Sequence, residues 1–218
     1  MKNRMALTLT VLALTTFAQT VWASGSGDLG MLEGDWEYRG NRLSQKDPDA
    51  PRAKAWVRYP QNGITLYEFS VRFDDGLQDG HGGFGIHILA DSVPDGPSWG
   101  AGKSWLLWLN YDEAPEVPGI PPGLSLQLYE STGDILMRIV ESVSLDAFMA
   151  AVPSLQNTEI PICLEFRPEN GRLIITDPAN QGPGWYLDLP GAAGAAGSYI
   201  VLRSNGAAVS FAPTKPPL

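Results

Sequence analysis

The sequence predicts an all-β protein, an antiparallel sandwich of two sheets with about a dozen strands and one short helix. Apolar and polar residues alternate in many short segments, as in Tyr67–Phe73, which is typical of strands with one buried face. The 24 glycines and 18 prolines supply the turns that many short strands need. No segment shows a strand–helix–strand pattern, and there is no internal repeat of the kind found in propellers or solenoids.

The first 23 residues are typical of a Sec-type signal peptide. Lys2 and Arg4 form a basic start, and the apolar run that follows is too short to span a bilayer. Val21 and Ala23 place small residues at a cleavage site before Ser24. Since Ser24 is not a cysteine, a lipoprotein is disfavoured. We expect an exported protein, either periplasmic or secreted.

After the signal peptide, the sequence predicts a flexible Gly-rich leader (24–34), a single β-sandwich domain (35–212) and a frayed tail (213–218). No later stretch is apolar enough for a transmembrane span. Cys163 is the only cysteine, so an internal disulfide is excluded, and its apolar neighbours Ile162 and Leu164 predict a small buried residue. Without Lys2 and Arg4, 13 basic residues face 24 acidic ones, and this net charge of −11 disfavours nucleic acid as a partner.

Alternation predicts five strands in the first half of the domain, at 35–39, 54–59, 64–73, 84–90 and 104–112. A polar, proline-bearing loop is expected at 40–52. Four prolines in 113–123 exclude a central strand there. The strand at 104–112 is apolar on both faces, so it either lies centrally in a covered sheet or contributes to a ligand surface.

The second half of the domain is predicted to consist mainly of hairpins. Strands are expected at 124–131, 135–143, 160–167, 172–176, 185–189, 198–204 and 207–212. Asn170-Gly171 suits a short hairpin turn, and a last hairpin is expected around Asn205-Gly206. A short helix is predicted at about 144–152, capped by Ser144 and ended by Pro153.

The order of these segments resembles the concanavalin A-like lectin/glucanase jelly roll, which includes laminin-G-like domains. The resemblance covers most of the chain after the signal peptide. It depends on the segments YEFSVRF, GFGIHI, SWLLWLNYD, LSLQLY, ICLEFRPENGRLIITD and GSYIVLRSNGAAVSF. It implies a jelly-roll sandwich that binds ligands on its concave sheet.

The resemblance implies that the ligand-binding side chains are those that alternate away from the core. By strand parity, the candidates are Arg72, His87, Trp108, Asn110, Gln127, Tyr129 and Arg138. An indole stacks on a sugar ring, and amide, guanidinium and imidazole groups bond hydroxyls. The alternative is that Trp108 packs beneath a loop and the polar side chains are simply solvated. The strands that carry these residues need not share one sheet.

Catalysis is disfavoured by the motifs of the same superfamily. Its retaining glucanases place two carboxylates on one strand as Glu-x-Asp-x-x-Glu or Glu-x-Asp-x-Glu, whereas this sequence offers Asn110 and Asp112. Gly85-Ile86-His87 resembles the Gln-Ile-His of alginate-type lyases, but the matching arginine-rich and tyrosine-rich strands are missing. No catalytic residue is therefore predicted.

A cofactor is not expected either, although one loop is a weak candidate for calcium. Asp74, Asp75 and Asp79 supply oxygen ligands, but aspartates also favour turns without any metal. The sequence thus favours a non-catalytic binding module for a glycan. Two alternatives stay open: a glycoside hydrolase or polysaccharide lyase with degenerate motifs, and a structural component of an envelope or extracellular assembly. The oligomeric state is not predicted.

Overall fold

The computed structural model describes residues 29–77, 80–151, 154–177 and 183–213. Their strands form two seven-stranded antiparallel sheets, and one short helix lies in a connection. The elements are β1 (Leu29–Glu33), β2 (Trp36–Arg39), β3 (Arg42–Gln45), β4 (Ala53–Gln61), β5 (Thr65–Gly76), β6 (His81–Ala90), β7 (Lys103–Asp112), β8 (Gly123–Thr132), β9 (Met137–Ser144), α1 (Asp146–Ala151), β10 (Glu159–Arg167), β11 (Arg172–Thr176), β12 (Pro183–Asp188), β13 (Gly197–Asn205) and β14 (Ala207–Ala212).

The front sheet has the strand order β1-β4-β13-β6-β7-β8-β9, and the back sheet has the order β12-β11-β10-β5-β14-β3-β2. This arrangement confirms the predicted all-β, two-sheet sandwich. Helix α1 also lies within its predicted range. The Ser144 side chain caps it, since Oγ accepts a hydrogen bond from the Asp146 amide at 3.1 Å.

The core lies between the sheets and contains the alternate side chains that the sequence predicted. Phe84 on β6 of the front sheet makes edge-on contacts with two rings of the back sheet. The ring centroids of Phe73 and Phe211 lie 5.4 Å and 6.0 Å from that of Phe84. Such contacts add to the hydrophobic stabilisation of the buried rings. The remaining side chains of each strand point away from this core.

Two segments that the sequence predicted to be irregular are strands. Leu29–Glu33, within the predicted leader, is β1 and pairs with β4 at the edge of the front sheet. Arg42–Gln45, within the predicted loop, is β3 and lies between β2 and β14. Each has at most five residues. The pairing of β1 with β4 and of β3 with β14 joins separate parts of the chain, which a local pattern does not reveal, whereas β3 also forms a tight hairpin with β2.

The last two strands are not the hairpin that the sequence predicted. β13 pairs with β4 and β6 in the front sheet, whereas β14 pairs with β3 and β5 in the back sheet. Gly206 alone separates them and adopts φ 61°, a conformation that glycine tolerates at little cost. The hairpin at Asn170-Gly171 is confirmed, because β10 and β11 pair around it.

Some predictions fall on residues outside the described ranges. The predicted signal peptide (1–23), the first part of the leader (24–28) and the tail from residue 214 onward belong to this group. Within the described ranges, no helix has the length and apolar character that crossing a membrane requires.

Candidate binding cleft

The connection between β6 and β7, residues 91–102, covers part of the outer face of the front sheet, and we call it the cover loop. Its Ala101 is buried against Ala90 and Val201 of the sheet. The Gly100 amide donates to the carbonyl of Asp134 at 2.8 Å, in the turn between β8 and β9. These contacts attach the loop to the strands beneath it and to a neighbouring turn.

Beside the cover loop, the outer face opens into a cleft of about 410 Å³, which we call the indole cleft. Its lining combines aromatic, apolar and polar side chains: Trp99, Leu106, Trp108, Asn110, Tyr129, Ile135, Met137, Arg203 and Asn205. Trp99, from the cover loop, keeps 47% of its surface exposed, whereas Trp108, from β7, keeps 8%. Trp99 is therefore the indole that a ligand can reach.

Trp108 lies across β6 because that strand carries glycines beneath it. A Cβ at Gly83 would lie 2.7 Å from Cζ2 of Trp108, and one at Gly85 would lie 2.8 Å from Cε3. Both distances are too short for a side chain. The indole nitrogen donates to Oδ1 of Asn110 at 3.0 Å. The two glycines and Asn110 together hold the ring flat against the sheet.

Arg203, on β13, lies at the base of the cleft. Its guanidinium carbon is 4.9 Å from the ring centroid of Trp99 and 5.2 Å from that of Trp108, within the range of cation–π attraction. Nη1 donates to the Trp99 carbonyl at 2.5 Å. Burial lowers the pKa of Arg203 to about 10, so the side chain stays protonated at neutral pH.

Lys54, on β4, lies opposite Arg203 in the ladder and is fully buried. Its Nζ donates to the carbonyls of Ser98 and Gly100 at 2.5 Å and 2.8 Å, and to Oγ of Ser98 at 2.5 Å. Burial, together with the charge on Arg203, lowers the pKa of Lys54 to about 7. Lys54 therefore anchors the cover loop from below and titrates near neutral pH.

His87, on β6, is buried beside these two cations. Its Nδ1 lies 2.9 Å from Oγ of Ser104, and its Nε2 has no hydrogen-bond partner among the described residues. Burial, with the charges of Arg203 and Lys54, holds the pKa of His87 well below its usual value. The imidazole is neutral and does not reach a ligand.

Five of the seven predicted site residues lie on the outer face of the front sheet. Trp108, Asn110 and Tyr129 line the indole cleft. Gln127 is buried behind Tyr129 and accepts a hydrogen bond from its hydroxyl at 2.7 Å. His87 shares this face but is sealed. The prediction of a polar and aromatic face here therefore has a structural counterpart, with Gln127 as a supporting residue.

The other two predicted residues lie elsewhere. Arg72 belongs to β5 in the back sheet, where it forms an ion pair with Asp74. Arg138 on β9 pairs with Glu130 and is adjacent in sequence to Met137, which lines the cleft. Because successive side chains of a strand point to opposite faces, Arg138 points away from the cleft. Arg72 and Arg138 are therefore separated from the other candidates, because β5 belongs to the back sheet and Arg138 has the opposite parity to Met137 on β9.

Sequence reasoning missed three residues that shape the cleft. Trp99 could have been found as a single aromatic in a loop rich in Gly, Ser and Pro, a typical setting for binding residues. Arg203 lies between Leu202 and Ser204 and breaks an otherwise uncharged strand. Lys54 begins its predicted strand and gave no such signal.

The weak calcium candidates are only partly described. Asp74 pairs with Arg72, and Oδ1 of Asp75 accepts a hydrogen bond from the Gly76 amide at 2.8 Å. Asp79 lies outside the described residues. Within the described ranges, no group of three or more His, Cys, Asp or Glu side chains is placed to hold a metal ion.

Comparison with known proteins identifies the fold. No protein-family model and no curated protein sequence matches the chain. Among solved structures, the metal-free carbohydrate recognition domain of Emp46p superposes with a TM-score of 0.55 at 13% identity, covering 89% of each chain. The sandwich is a concanavalin A-like jelly roll. At such low sequence identity, this likeness concerns the fold alone.

Two further solved structures superpose on the chain. The CBM2 module of the evolved Dit protein of Lactobacillus casei BL23 phage J-1 has a TM-score of 0.53 at 9% identity, covering 91% of this chain and 84% of the other. The legume lectin-like domain from Entamoeba histolytica has a TM-score of 0.51 at 12% identity, covering 84% and 85%. The concanavalin A-like fold that the segment order predicted is thus confirmed.

Proposed function

We propose that this chain is a non-catalytic carbohydrate-binding module whose saccharide lies in the indole cleft. The lining of the cleft carries this proposal. The exposed indole of Trp99 offers a face for a sugar ring, and Asn110, Tyr129 and Asn205 offer hydrogen-bonding groups beside it. The cleft volume of about 410 Å³ lies in the range of small-molecule sites.

Two further observations support binding without turnover. The similar domain of Emp46p is a carbohydrate recognition domain, and that of Entamoeba histolytica is legume lectin-like. The lining of the indole cleft, taken over the described residues, includes no aspartate or glutamate. Hydrolysis of a glycosidic bond ordinarily uses a pair of carboxyl groups. A hydrolase would need to supply them from elsewhere.

A glycan array probed with the full chain tests this proposal. Trp99→Ala removes the exposed indole, and we expect a loss of affinity of about tenfold or more for the glycans bound by the unaltered chain. Tyr186→Ala is the matched control, since Tyr186 is an exposed aromatic on β12 at the far edge of the back sheet. Equal affinities for the Trp99→Ala variant and the unaltered chain would show that the site is elsewhere.

We also propose that binding needs no metal ion. The array is therefore repeated with calcium and with a chelator, and binding is expected to be the same in both. If the chelator abolishes binding, calcium must be assigned a role and the loop containing Asp74, Asp75 and Asp79 becomes the site.

We propose in addition that the chain is exported by its N-terminal segment. The basic start and the small residues before Ser24 support this proposal. Amino-terminal sequencing of the protein recovered from the periplasm and from the medium is the test. We expect a mature protein that starts at Ser24, and a protein that keeps Met1–Ala23 in the cytoplasm would contradict export.

A structural role in an envelope or extracellular assembly is the second candidate, because the rim of the cleft is apolar. Ile135 and Leu136, in the turn between β8 and β9, are 77% and 71% exposed. A protein partner would cover such residues. If the array shows no binding, sedimentation of the full chain over a range of concentrations and a partner pull-down come next. Ile135→Asn and Leu136→Asn should then weaken the association.

A further inference from the structure

Unlike most other arginines of the molecule, Arg203 has no carboxylate of the described residues close enough to form an ion pair. On the back sheet, Arg42 pairs with Glu159 at 2.7 Å and Arg172 with Asp188 at 2.7 Å, and Arg72 and Arg167 also have carboxylate partners. Arg203 is only 2% exposed. Within the described ranges, however, no carboxylate forms an ion pair with it. Arg203 is therefore the most deeply buried guanidinium of the described residues, and it has no carboxylate among them as an ion-pair partner.

The groups around Arg203 do not neutralise it. Lys54 is its partner across the ladder and, as a buried amine, supplies no negative charge, while Arg52 lies over the same Trp99 ring at 5.4 Å. The Trp99 carbonyl satisfies Nη1, whereas Nε has no hydrogen-bond partner among the described residues. Burying a charge without a partner is costly, and an added anion offsets part of that cost.

The indole cleft is also an exception to the charge of the whole chain, which is −9. An acidic surface repels polyanions at long range, yet the described lining of this cleft contains one cation and no carboxylate. The planar fork of a guanidinium matches the two coplanar oxygens of a carboxylate. Lys54 is sealed beneath Ser98 and Gly100, so Arg203 is the cation of this pair that lines the cleft.

We infer that the saccharide in the indole cleft carries a carboxylate, as hexuronic and sialic acids do, and that Arg203 binds this group. The inference rests on the proposed function and restricts the class of saccharide to those that carry a carboxylate. The guanidinium lies within cation–π distance of both Trp99 and Trp108, and the sugar ring lies against the exposed indole of Trp99. Asn110 and Asn205 then lie within the same lining to bond hydroxyl groups.

Calorimetric titration of the full chain with matched ligand pairs tests the inference. One pair is an oligomer of hexuronic acid and the same oligomer with its carboxyl groups reduced to alcohols. The other is a sialylated oligosaccharide and its desialylated form. We expect at least one acidic ligand to bind about 10- to 100-fold more tightly than its neutral counterpart, as for a hydrogen-bonded charge. The pair that shows the difference identifies the sugar.

Arg203→Met should remove this preference, leaving the acidic and neutral ligands within about threefold of each other. Arg58→Met is the matched control, because Arg58 is an exposed arginine on β4 of the same sheet, and it should keep the full preference. Thermal unfolding of each variant establishes that it is folded. If Arg203→Met does not fold, the comparison of acidic and neutral ligands on the unaltered chain still decides.

The outcomes separate the inference from the proposed function. Equal affinity for acidic and neutral saccharides would overturn the inference that Arg203 binds a carboxylate. It would leave the proposal of a carbohydrate-binding module in place. A preference for sulfated over carboxylated saccharides would do the same. Failure of every saccharide to bind would overturn both. A preference that survives in Arg203→Met would show that another residue binds the carboxylate.

Discussion

The outer faces of the two sheets can be compared directly, because strands of similar alternation build both. On the back sheet, outward arginines such as Arg42 and Arg172 lie near the surface with carboxylate partners. On the front sheet, Lys54, His87 and Arg203 are buried instead, beneath or beside the cover loop. Alternation decides which side chains leave the core. A covering loop then decides whether those side chains are solvated or desolvated, and Arg203 of the desolvated set lines the indole cleft.

The largest expected difference between the faces concerns their lysines. The folded-state pKa of Lys54 is lowered from 10.5 to about 7, so the unfolded chain binds more protons between these pH values. Its contribution to the free energy of unfolding therefore rises with pH across this window. At about 1.4 kcal/mol per pKa unit, the rise is at most about 5 kcal/mol. Urea unfolding at a series of pH values should show it in the unaltered chain and not in Lys54→Met.

Lys46, which follows β3 of the back sheet, has a pKa that is shifted in the opposite direction from that of Lys54. Hydrogen bonds to Asp35 and Glu37 raise its pKa, so its stabilising contribution is present below about pH 10.5 and is lost as the pH rises further. Lys46→Met should leave the rise between pH 7 and 10.5 in place. If Lys54→Met keeps that rise as well, the assignment of a near-neutral pKa to Lys54 is wrong.

The glycines under Trp108 should give the next largest effect. Gly85→Val places a Cβ about 2.6 Å from the Leu107 carbonyl and 2.8 Å from the Trp108 ring. Overpacking of this kind costs about 1–3 kcal/mol, and the displaced indole should also weaken saccharide binding. Ser70→Val, on the outer face of β5, should change stability by less than about 0.5 kcal/mol. Denaturant unfolding compares the two, and equal losses would show that Trp108 is not held by β6.

The buried imidazole should affect stability on the acid side. Since the pKa of folded His87 lies well below 6.5, the unfolded chain takes up the proton first as the pH falls. The free energy of unfolding should then decrease below pH 6.5, with a slope of up to about 1.4 kcal/mol per pH unit. His87→Gln should flatten this part of the profile. His81→Gln removes the exposed histidine of β6 and should leave the slope attributed to His87; a flat profile in this variant would contradict the assignment.

The smallest effect is expected on the back sheet. Arg72→Met breaks a partly exposed ion pair with Asp74, and such pairs contribute about 0.2–1 kcal/mol. Saccharide affinity should stay within twofold of that of the unaltered chain, because Arg72 lies on the opposite side of the sandwich from the indole cleft. A large loss of affinity would contradict the proposed location of the site.

Local patterns in the sequence predicted the strands that bury one face, and Tyr67–Phe73 within β5 is a clear case. The same patterns missed β1, which is ordered by its ladder to β4, and β3, which pairs with distant β14 as well as with neighbouring β2. They also treated the segments around Gly206 as a hairpin, although the two strands join different sheets. Pairing between strands is not local, so alternation cannot specify it.

The candidate site was predicted in part for the same reason. Trp108, Asn110 and Tyr129 belong to adjacent strands β7 and β8, and their parity was sufficient to bring them together. Arg203 comes from β13, which is nearly 100 residues further along the chain and lies beyond β6 in the sheet. Trp99 comes from a loop with no periodicity. The pairing register of the strands and the placement of the cover loop therefore decide whether Arg203 and Trp99 line the cleft, and composition does not.

The position of β13 and β14 bears on when the molecule can fold. They are the last strands of the sandwich in the chain, yet β13 lies between β4 and β6, and β14 lies between β5 and β3. Until both strands emerge from the ribosome, each sheet is divided into two fragments. Folding should therefore begin only after β13 and β14 have been synthesised, and a nascent chain that ends before Gly197 should remain sensitive to protease. For a chain exported as proposed above, such a delay would keep the polypeptide unfolded during the period in which a translocation channel can accept it.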